Sequence, residues 1–342
     1  MWFPLRQGTA GSFLKCSDKL NAMSYEVPNN VLNAVPEPLG SIRTSTYNHG
    51  KYIRQCMDGI LMQKTDFPFE YIIGEDCSND DTREIVLEYA RKYPDVIRVV
   101  TADHNVGMKA NGLRCIEMCR GKYIAVCEGD DYWSDPHKLQ KQVDYMRAHP
   151  EVSICATECD MLVQETGEIR RIPSLGIPLY TQREFLKGNQ IYTMTALVRA
   201  DHVREYQFEI SPLLPYFRMG DYSMWLYLVA KGPGAKLPDV TSVYRVLNSS
   251  ASHFEDPFDQ VRFSVSSFDI RTFFNDLMGY GKKGMGYRRW RNTRKVCRRM
   301  HRERGVPFLP LYIRSIRYLL ATPAPRPSEE IRRKVAELNP GL

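Results

Sequence analysis

The 342-residue sequence lacks the cysteine patterns of disulfide-rich domains and zinc-binding domains. It has no C-x2-C pair, and its nine cysteines are an odd number that lie in or beside apolar segments. We therefore expect reduced thiols in a reducing compartment. The C-x3-C pairs Cys115/Cys119 and Cys155/Cys159 allow a zinc site, but we interpret them as core residues because buried cysteine packs as a small hydrophobe.

Long apolar runs are also missing. No stretch reaches the roughly 18 residues that a membrane-spanning helix needs. Residues 1–6 lack the charged-then-apolar pattern of a secretory signal, and there is no internal repeat of solenoid period. Hydrophobic residues make up 43% and charged residues 25% of the chain, as in ordinary globular proteins. We expect a cytoplasmic chain with one large domain, alone or with an appendage.

Acidic residues are scarce at the C-terminal end. Residues 281–342 carry 17 Lys and Arg against 4 Glu, a net charge of +13. Residues 1–280 carry 30 basic against 36 acidic side chains, a net charge of −6. A basic tail on a mildly acidic body suits an anionic surface as partner, either membrane headgroups or nucleic acid. The alternative is a solvated surface of packing helices.

The residue pattern divides the chain into three parts. Residues 1–38 show no sustained periodicity and are interrupted by prolines, which predicts an irregular lead-in. Residues 39–255 alternate strand-like and helix-like segments with short connections, which predicts an α/β domain with a parallel sheet and right-handed crossovers. Residues 256–342 show helical periodicity throughout and predict a basic helical C-terminal extension.

Individual segments follow from the period of the apolar residues. We predict strands at 40–49 (a weak one, because its residues are polar and it ends in polar residues), 69–74, 96–100, 123–126, 152–159, 191–198 and 240–247. We predict helices at 52–62, 83–93, 108–119, 138–149, 181–187, 220–231, 261–277, 290–302, 311–320 and 329–338. Residues 160–175 are expected to form an excursion with a turn at 165–167.

Three carboxylates lie within four residues directly after the apolar segment 123–126. Glu128, Asp130 and Asp131 would repel one another unless a cation neutralises them or solvent surrounds the loop. Open α/β sheets bind ligands where their strands end, and Mg²⁺ typically takes one or two carboxylates while substrate phosphates complete its shell. We interpret this loop as a site for a metal ion and a diphosphate. A solvated acidic turn is the alternative, which the adjacent Trp133 disfavours.

A second acidic pair, Glu75 and Asp76, follows the apolar segment 69–74. Asp80 and Asp81, a few residues later, are explained by helix capping and by the helix dipole. Glu75 and Asp76 come too early in the chain for that role. Since parallel strands bring their carboxyl ends to one edge of a sheet, both acidic loops are expected at the same edge.

Residues 40 to 253 resemble the family 2 glycosyltransferases with the GT-A fold. Four elements carry the resemblance, in the family's order. They are Thr46-Tyr47-Asn48-His49 after the first strand, Glu75-Asp76-Cys77-Ser78, the DXD-like Glu128-Gly129-Asp130-Asp131, and Gly220-Asp221 at a helix start. The resemblance implies an α/β, Rossmann-like, nucleotide-sugar-binding sheet flanked by helices, with the helical extension appended.

The resemblance also implies roles for individual residues. The nucleotide would be bound by Thr46, Tyr47, Asn48, Glu75, Asp76 and Asp130, with Lys109 and Asn111 near the diphosphate or the sugar. Mn²⁺ or Mg²⁺ would be bound by Asp131, Asp130 and Glu128, with His253 as a further candidate ligand. Trp133 would line the acceptor or sugar pocket, or else pack in the core. Asp221 would be the catalytic base, with a plain N-cap as its alternative role.

These roles imply an inverting transferase that moves a sugar from a nucleotide-diphosphate sugar, with UDP the expected carrier. The acceptor would be a hydroxyl of a glycan or of a lipid-linked molecule in bacterial cell-surface polysaccharide biosynthesis. One base opposite the leaving group gives single displacement and inversion. Processive members carry a Gln/Arg-x-x-Arg-Trp motif, but here Gly286 stands before Arg289-Trp290, so we expect single additions. The extension would contact the anionic inner membrane face, and no nucleic-acid partner is expected.

Two other function classes remain open from the sequence. A nucleotidyltransferase also joins an α/β domain to metal-binding acids, but the segment His49-Gly50-Lys51 has a single glycine and no Gly-rich phosphate loop. A non-catalytic carbohydrate-binding or nucleic-acid-binding module would use the basic extension alone. In that case, substitutions of Asp131 and Asp221 would leave its function unchanged.

Overall fold

The computed structural model describes residues 24–26, 37–172, 179–247, 254, 256–281 and 285–339. His253 and most of the predicted lead-in lie outside the described residues. The chain forms two compact units, Met1–Gln140 and Lys141–Leu342, and each is described by itself. Within the described ranges, no helix combines the length and the hydropathy that crossing a bilayer requires.

The first unit alternates strands and helices, as the sequence predicts. Its strands are β1 (Ser24–Glu26), β2 (Gly40–Thr46), β3 (Phe69–Glu75), β4 (Ile97–Ala102), β5 (Tyr123–Val126) and β6 (Tyr132–Trp133). Its helices are α1 (Ile53–Leu61), α2 (Thr82–Lys92) and α3 (Met108–Met118), and α4 (Lys138–Ala148) contains the division between the units. The strand order β4-β3-β2-β5 is parallel throughout. The predicted parallel sheet is confirmed.

Strand β2 is polar in sequence, yet it lies between β3 and β5 and all seven of its residues are buried. Its side chains find partners on β3. Ser41 Oγ donates to Glu70 Oε1 at 2.7 Å, and Thr44 Oγ1 lies 2.9 Å from Tyr71 Oη. Burying a polar group costs free energy when the group lacks a hydrogen bond, and these pairs supply the bonds. They allow a polar segment to form a central strand of the sheet.

Strand β1 lies within the segment predicted to be irregular, so that prediction is wrong for its three residues. β1 pairs antiparallel with β4, with Ser24 opposite Ala102 and Glu26 opposite Val100. Main-chain hydrogen bonds to a sheet edge require no side-chain periodicity, which is why the sequence pattern does not show this strand.

The second unit contains further strands and the helical extension. Its strands are β7 (Ile154–Val163), β8 (Glu168–Arg171), β9 (Leu179–Tyr180), β10 (Leu197–Arg199) and β11 (Gly234–Val246). Its shorter helices are α5 (Gln182–Phe185), α6 (Ala200–Glu205) and α7 (Gly220–Lys231). β7 is parallel to β11 and antiparallel to β10. The predicted strand 191–198 is partly wrong, because Thr193–Thr195 form a 3-10 turn before β10 begins.

The excursion predicted after residue 159 is a β-hairpin. β7 continues to Val163, turns through Gly167 and returns as β8, which pairs antiparallel with β7. Gly167 has a φ of +70°, a conformation that glycine adopts without strain. The turn predicted at 165–167 is confirmed, whereas the pairing of its two arms was not predicted.

The extension contains the four predicted helices, α8 (Pro257–Leu277), α9 (Met285–Arg304), α10 (Phe308–Ala321) and α11 (Glu329–Leu338). Helices α8, α9 and α10 share one apolar cluster, formed by Phe258, Val261, Val265, Val296, Cys297, Met300 and Leu311. Arg289 of α9 forms a buried two-bond ion pair with Asp269 of α8, at 2.7 and 2.8 Å. The Arg289-Trp290 pair considered as a partial motif is therefore structural at Arg289.

Candidate active site

Side-chain hydrogen bonds join the loops that follow β2 and β3. The Asn48 main-chain N–H donates to Ser78 Oγ at 3.0 Å, and the Asn79 N–H donates to Asn48 Oδ1 at 2.9 Å. Asn48 and Cys77 have φ values of +55° and +58°, which non-glycine residues adopt at a cost. The reciprocal bonds hold both loops in this strained form at the carboxyl edge of the sheet.

Thr46, Tyr47 and Asn48 lie together at this edge, as predicted for a nucleotide site. Tyr47 is 39% exposed, and its Oη accepts a hydrogen bond from Asn79 Nδ2 at 3.4 Å. Thr46 is buried, with Oγ1 3.3 Å from His49 Nδ1. An exposed aromatic ring beside fixed polar groups can stack on a planar ligand.

Glu75 is fully buried, and both of its carboxylate oxygens are used inside the protein. Oε1 accepts from the Ser78 N–H at 2.7 Å, and Oε2 accepts from Arg83 Nε at 2.5 Å and from Thr101 Oγ1 at 3.0 Å. Burial by itself would raise the pKa of Glu75, but the bonds from Ser78 and Arg83 outweigh it and lower that pKa. Glu75 therefore stabilises the loop, and its carboxylate is not open to a ligand in this structure.

Asp76 is also buried and ties the end of β3 to the start of α3. Its Oδ1 accepts from the Val106 N–H at 2.9 Å, and its Oδ2 accepts from the Gly107 N–H at 3.0 Å. Arg114 Nη2 lies 3.7 Å from Oδ1. A ligand that bonds to this carboxylate would join these donors or displace one of them.

Lys109 and Asn111, both predicted near the diphosphate or the sugar, differ in their access to solvent. Lys109 is exposed on the first turn of α3. Asn111 is 2% exposed, and its Nδ2 donates to the Gly74 carbonyl at 2.8 Å while its Oδ1 accepts from Arg114 Nε at 2.9 Å. The prediction of a ligand contact is wrong for Asn111 in this arrangement, because its amide holds α3 against β3.

Sequence reasoning missed three arginines that compensate the acids at this edge. Arg83 pairs with Glu75, and Arg114 donates through Nη2 to the main-chain carbonyl of Glu75 at 2.8 Å. Burial lowers the pKa of Arg114. Arg43, from the interior of β2, lies 3.5 Å from Glu128 Oε1. The signal in the sequence that could have indicated them was an arginine at a strand or helix position whose side chain is expected to face the core.

Glu128, the first acid of the loop after β5, is held by the protein itself. Its Oε2 accepts from the Ser45 N–H at 3.3 Å, and Arg43 lies beside its other oxygen. Burial raises the pKa of Glu128, partly offset by Arg43, although 32% of the side chain stays accessible. Glu128 is thus paired, which argues against its predicted role as a free metal ligand.

Gly129 allows the loop to approach β2 closely. Its N–H donates to the Ser45 carbonyl at 3.1 Å, and a Cβ at this position would lie 2.6 Å from Thr46 Oγ1. The Asp131 N–H then donates to the Glu128 carbonyl at 3.0 Å, which closes a tight turn. Asp130 is partly exposed at this turn, whereas Asp131 is 5% exposed.

The donor set fits a metal ion that binds together with a diphosphate. Among the residues that the structure describes, no three His, Cys, Asp or Glu side chains form a metal-binding group. The predicted three-acid metal site is therefore not preformed by the protein alone. A hard cation that takes one or two carboxylates and completes its shell with phosphate oxygens needs no such group. Asp130, which is partly exposed, and Asp131 are the residues of this loop that suit that arrangement.

Trp133 lies in the core, which corrects the prediction that it lines a pocket. Its side chain is 1% exposed, and Lys138 Nζ lies 4.4 Å from the ring centroid. A Cβ on Gly59 of α1 would lie 2.5 Å from the Trp133 carbonyl, so β6 packs directly on that helix. The indole therefore stabilises the base of the acidic loop from inside.

Asp221, in the second unit, begins α7 but is not its N-cap. The N-cap position is Met219, so the alternative role for Asp221 is wrong. Asn189 Nδ2 donates to Asp221 Oδ2 at 3.2 Å. Burial raises the pKa of Asp221, against the lowering effect of hydrogen bonds from the Tyr222 main chain and Asn189, and the residue keeps partial access to solvent. A carboxylate with a raised pKa is a stronger proton acceptor.

Comparison with known proteins identifies the family. The family model described as Glycosyl transferase family 2 matches residues 41–206. The uncharacterized protein Rv1520 of Mycobacterium tuberculosis is 35% identical over 212 residues, which are 60% of this chain and 58% of that protein. The matched region thus spans less than two thirds of that relative. The Escherichia coli protein named UDP-Glc:alpha-D-GlcNAc-diphosphoundecaprenol beta-1,3-glucosyltransferase WfaP is 26% identical over 270 residues, 75% of this chain and 99% of WfaP.

A solved structure agrees on the fold. The mannosyltransferase PcManGT of Pyrobaculum calidifontis, solved with GDP-Man and Mn²⁺, matches with a TM-score of 0.53 at 15% identity. The match covers 97% of this chain and 95% of that one. At this identity the similarity concerns the fold alone, and it confirms the predicted α/β sheet flanked by helices with helices at the C-terminal end. The family model and the glycosyltransferase relative together identify residues 41–206 as a glycosyltransferase family 2 domain.

Proposed function

We propose that this protein transfers a sugar from a UDP-sugar to a hydroxyl of a glycan or lipid-linked acceptor, with a divalent metal ion and with inversion at the anomeric carbon. One observation carries the proposal. The neighbouring parallel strands β3, β2 and β5 end in three polar loops at one sheet edge. Those loops present Tyr47, Asp76 and Asp130, an aromatic ring and two carboxylates, where open α/β sheets bind nucleotides.

In the donor half of this proposal, Tyr47 stacks on the base and Asp76 hydrogen-bonds to it. Thr46 and Asn48 keep the first loop in place, and Glu75 keeps the second loop in place through Arg83. Asp130 and Asp131 hold Mn²⁺ or Mg²⁺ with the diphosphate, and Lys109 approaches its phosphate oxygens. When bound, the metal neutralises the charge that develops on the leaving diphosphate.

In the acceptor half of the proposal, Asp221 accepts the proton of the attacking hydroxyl. A sugar hydroxyl is a poor nucleophile, so a carboxylate within hydrogen-bond reach must take its proton as the bond to carbon forms. The raised pKa of Asp221 suits that task, and the Asn189 amide fixes one of its oxygens. A single base without a second nucleophilic carboxylate gives inversion.

The relatives support the choice of substrates. The name of WfaP specifies a UDP-glucose donor and a diphosphoundecaprenol-linked acceptor, and PcManGT was solved with a GDP-sugar and Mn²⁺. We propose UDP as the carrier, a glycan of cell-surface polysaccharide biosynthesis as the product, and single additions. An acceptor on a lipid would also explain a basic extension that rests on an anionic membrane.

The proposal is tested by following both products of turnover. The purified full chain is incubated with UDP-sugars, Mn²⁺ and a lipid-diphosphate-linked sugar acceptor, and release of UDP and extension of the acceptor are measured. Asp130→Asn and Asp221→Asn are expected to lower transfer at least 100-fold. Asp95→Asn, an exposed acid that precedes β4 at the opposite edge of the sheet, serves as the matched control. Release of pyrophosphate from a nucleoside triphosphate would indicate a nucleotidyltransferase instead. If no transfer is found and both variants bind carbohydrate or nucleic acid as the original chain does, the chain is a binding module.

A further inference from the structure

Helix α10 is apolar on two opposite faces. Leu311 and Ser315 are buried, and Leu311 joins the cluster between α8, α9 and α10. On the other side, Leu309, Ile313 and Leu320 are 62%, 45% and 81% exposed. At about 100° per residue, these three positions fall within about 40° of one another on the helix surface. We call them the outer stripe.

An exposed stripe of this kind calls for a partner. A helix that is apolar all round is normally buried, and single exposed apolar residues are common whereas aligned ones mark interaction surfaces. The three-helix cluster accounts for only the inner face of α10. The outer stripe lies on the opposite side of the helix axis from Leu311, so the packing of the extension does not explain it.

Helix α10, which carries the outer stripe, and the neighbouring helix α9 both expose basic residues. Helix α10 contains no acidic residue, and its Arg314 and Arg317 are both exposed. Arg314 also pairs with Asp256 at 3.1 Å. The outward side of α9 adds further exposed basic residues, namely Arg288, Arg291, Lys295, Arg298, Arg299 and Arg302. Apolar residues on a helix with cations beside them are the pattern of helices that lie in the plane of an anionic membrane surface.

We propose that the outer stripe of α10 docks on an anionic lipid bilayer. Leu309, Ile313 and Leu320 enter the boundary between headgroups and acyl chains, while the arginines of α9 and α10 bind lipid phosphates. A second copy of the chain is a poorer occupant, since residues 281–342 carry a net charge of +13 and two such surfaces repel. This inference deepens the membrane contact proposed above, and binding alone tests it, whether or not sugar transfer is found.

The test is cosedimentation of the full chain with vesicles of phosphatidylcholine alone or mixed with phosphatidylglycerol, at low and high salt. We expect binding that requires phosphatidylglycerol and weakens with salt. The variant Leu309→Asn/Ile313→Asn/Leu320→Asn should bind at least tenfold more weakly. Its matched control removes three exposed apolar residues elsewhere, as Ile169→Asn/Leu179→Asn/Tyr216→Asn, and should bind as the original chain does.

A second pair of variants separates charge at this surface from charge in general. Arg291→Gln/Lys295→Gln/Arg298→Gln should lose most of the salt-sensitive binding. Lys64→Gln/Arg91→Gln/Lys122→Gln, which removes the same charge from exposed positions of the first unit, should not. Thermal unfolding of each variant confirms that it folds.

Three results would overturn the proposal. The full chain would show no preference for phosphatidylglycerol, or the outer-stripe variant would bind vesicles as tightly as its control. Alternatively, sedimentation velocity would show that the original chain is a dimer and that the outer-stripe variant alone is a monomer. That result would assign this surface to a second copy of the chain. Donor hydrolysis is measured in parallel, so an inactive transferase is distinguished from a chain that does not bind vesicles.

Discussion

Asn189 Nδ2 donates a 3.2 Å hydrogen bond to Asp221 Oδ2, and this bond opposes the effect of burial on the carboxylate. The bond favours the charged form, so it lowers the pKa of Asp221 from the value that burial alone would give. The base strength of Asp221 is therefore set by burial on one side and by hydrogen bonds from main-chain groups and Asn189 on the other, and the Asn189 bond can be removed by substitution.

Asn189→Ala should move the acid limb of the pH–rate profile for sugar transfer to higher pH. A base must be deprotonated to act, so activity is lost as pH falls through its pKa, and burial already places that pKa above the ordinary aspartate value of 3.8. Removing the amide raises it further. Asn292→Ala, which removes an amide bonded to Ser264 in the same unit, is the control. An unchanged acid limb in Asn189→Ala would show that the amide does not tune the base.

Metal and nucleotide should stabilise the protein only together. Since no preformed group of three ligands exists in the described part of the chain, Mn²⁺ alone should shift the melting temperature little. Mn²⁺ with UDP at about 100 times its Kd should add about 2.7 kcal/mol to the free energy of unfolding. Asp130→Asn should remove the metal-dependent part. Differential scanning calorimetry measures these changes. Full stabilisation by Mn²⁺ without nucleotide would contradict this prediction.

Gly129→Ala should impair nucleotide binding because its Cβ would lie 2.6 Å from Thr46 Oγ1 and push the acidic loop away from β2. We expect at least a tenfold weaker UDP affinity by titration calorimetry. Gly112→Ala in α3 is the control, since the nearest atom to its Cβ is 3.7 Å away. That control should bind UDP normally and gain about 0.5–1 kcal/mol in stability from helix propensity. Equal affinities in the two variants would rule out a role for the close approach.

Arg289→Ala should cost about 3–5 kcal/mol of unfolding free energy, because it leaves Asp269 buried without its partner. Arg289 also donates to the Thr322 carbonyl at 2.8 Å, so the end of α10 loosens with it. Urea denaturation measures the change. Arg298→Ala, on the exposed side of α9, is the comparison and should lower the unfolding free energy by less than about 0.5 kcal/mol. A loss of less than 1 kcal/mol in Arg289→Ala would mean that Asp269 is solvated.

Glu75 should make the stability of the first unit sensitive to acid. Its folded pKa is below the unfolded value of 4.5, so its contribution is present above that value and is lost as pH falls through the lowered folded pKa. Glu75→Gln removes this charge, and its unfolding free energy should fall less steeply below pH 4.5 than that of the original chain. Glu88→Gln, an exposed carboxylate in an ion pair with Arg54, is the comparison. Parallel pH curves for Glu75→Gln and the original chain would refute the assignment.

Most elements of both units followed from local periodicity. The central strand β2 was a weak prediction, since its stability depends on Glu70 and Tyr71 from β3, which lie 27 to 29 residues away from their partners in sequence. Strand β1 left no pattern, because main-chain pairing with β4 requires no side-chain periodicity. Tertiary pairing, and not local composition, decided both cases.

The positions of the two acidic loops could be predicted because they directly follow apolar strands. Which acids remain open to a ligand could not be predicted. The partners of Asp76 are main-chain groups some 30 residues later, and Glu128 meets an arginine more than 80 residues earlier. From its sequence position, Trp133 could line the acceptor or sugar pocket or pack in the core, and its packing on α1 buries it. Such long-range pairings leave no spacing signal in the sequence.

Strand β1 forms the outer border of the first unit's sheet, where β4 would otherwise display its own unpaired main-chain donors and acceptors. An open border of this kind recruits strands from other molecules. A shortened chain that begins near residue 40, where the family match starts, would keep all three polar loops and yet be prone to self-association. Ser24–Glu26 replace the six-residue border of β4 with a border of three residues, which offers fewer main-chain groups to a strand of another copy.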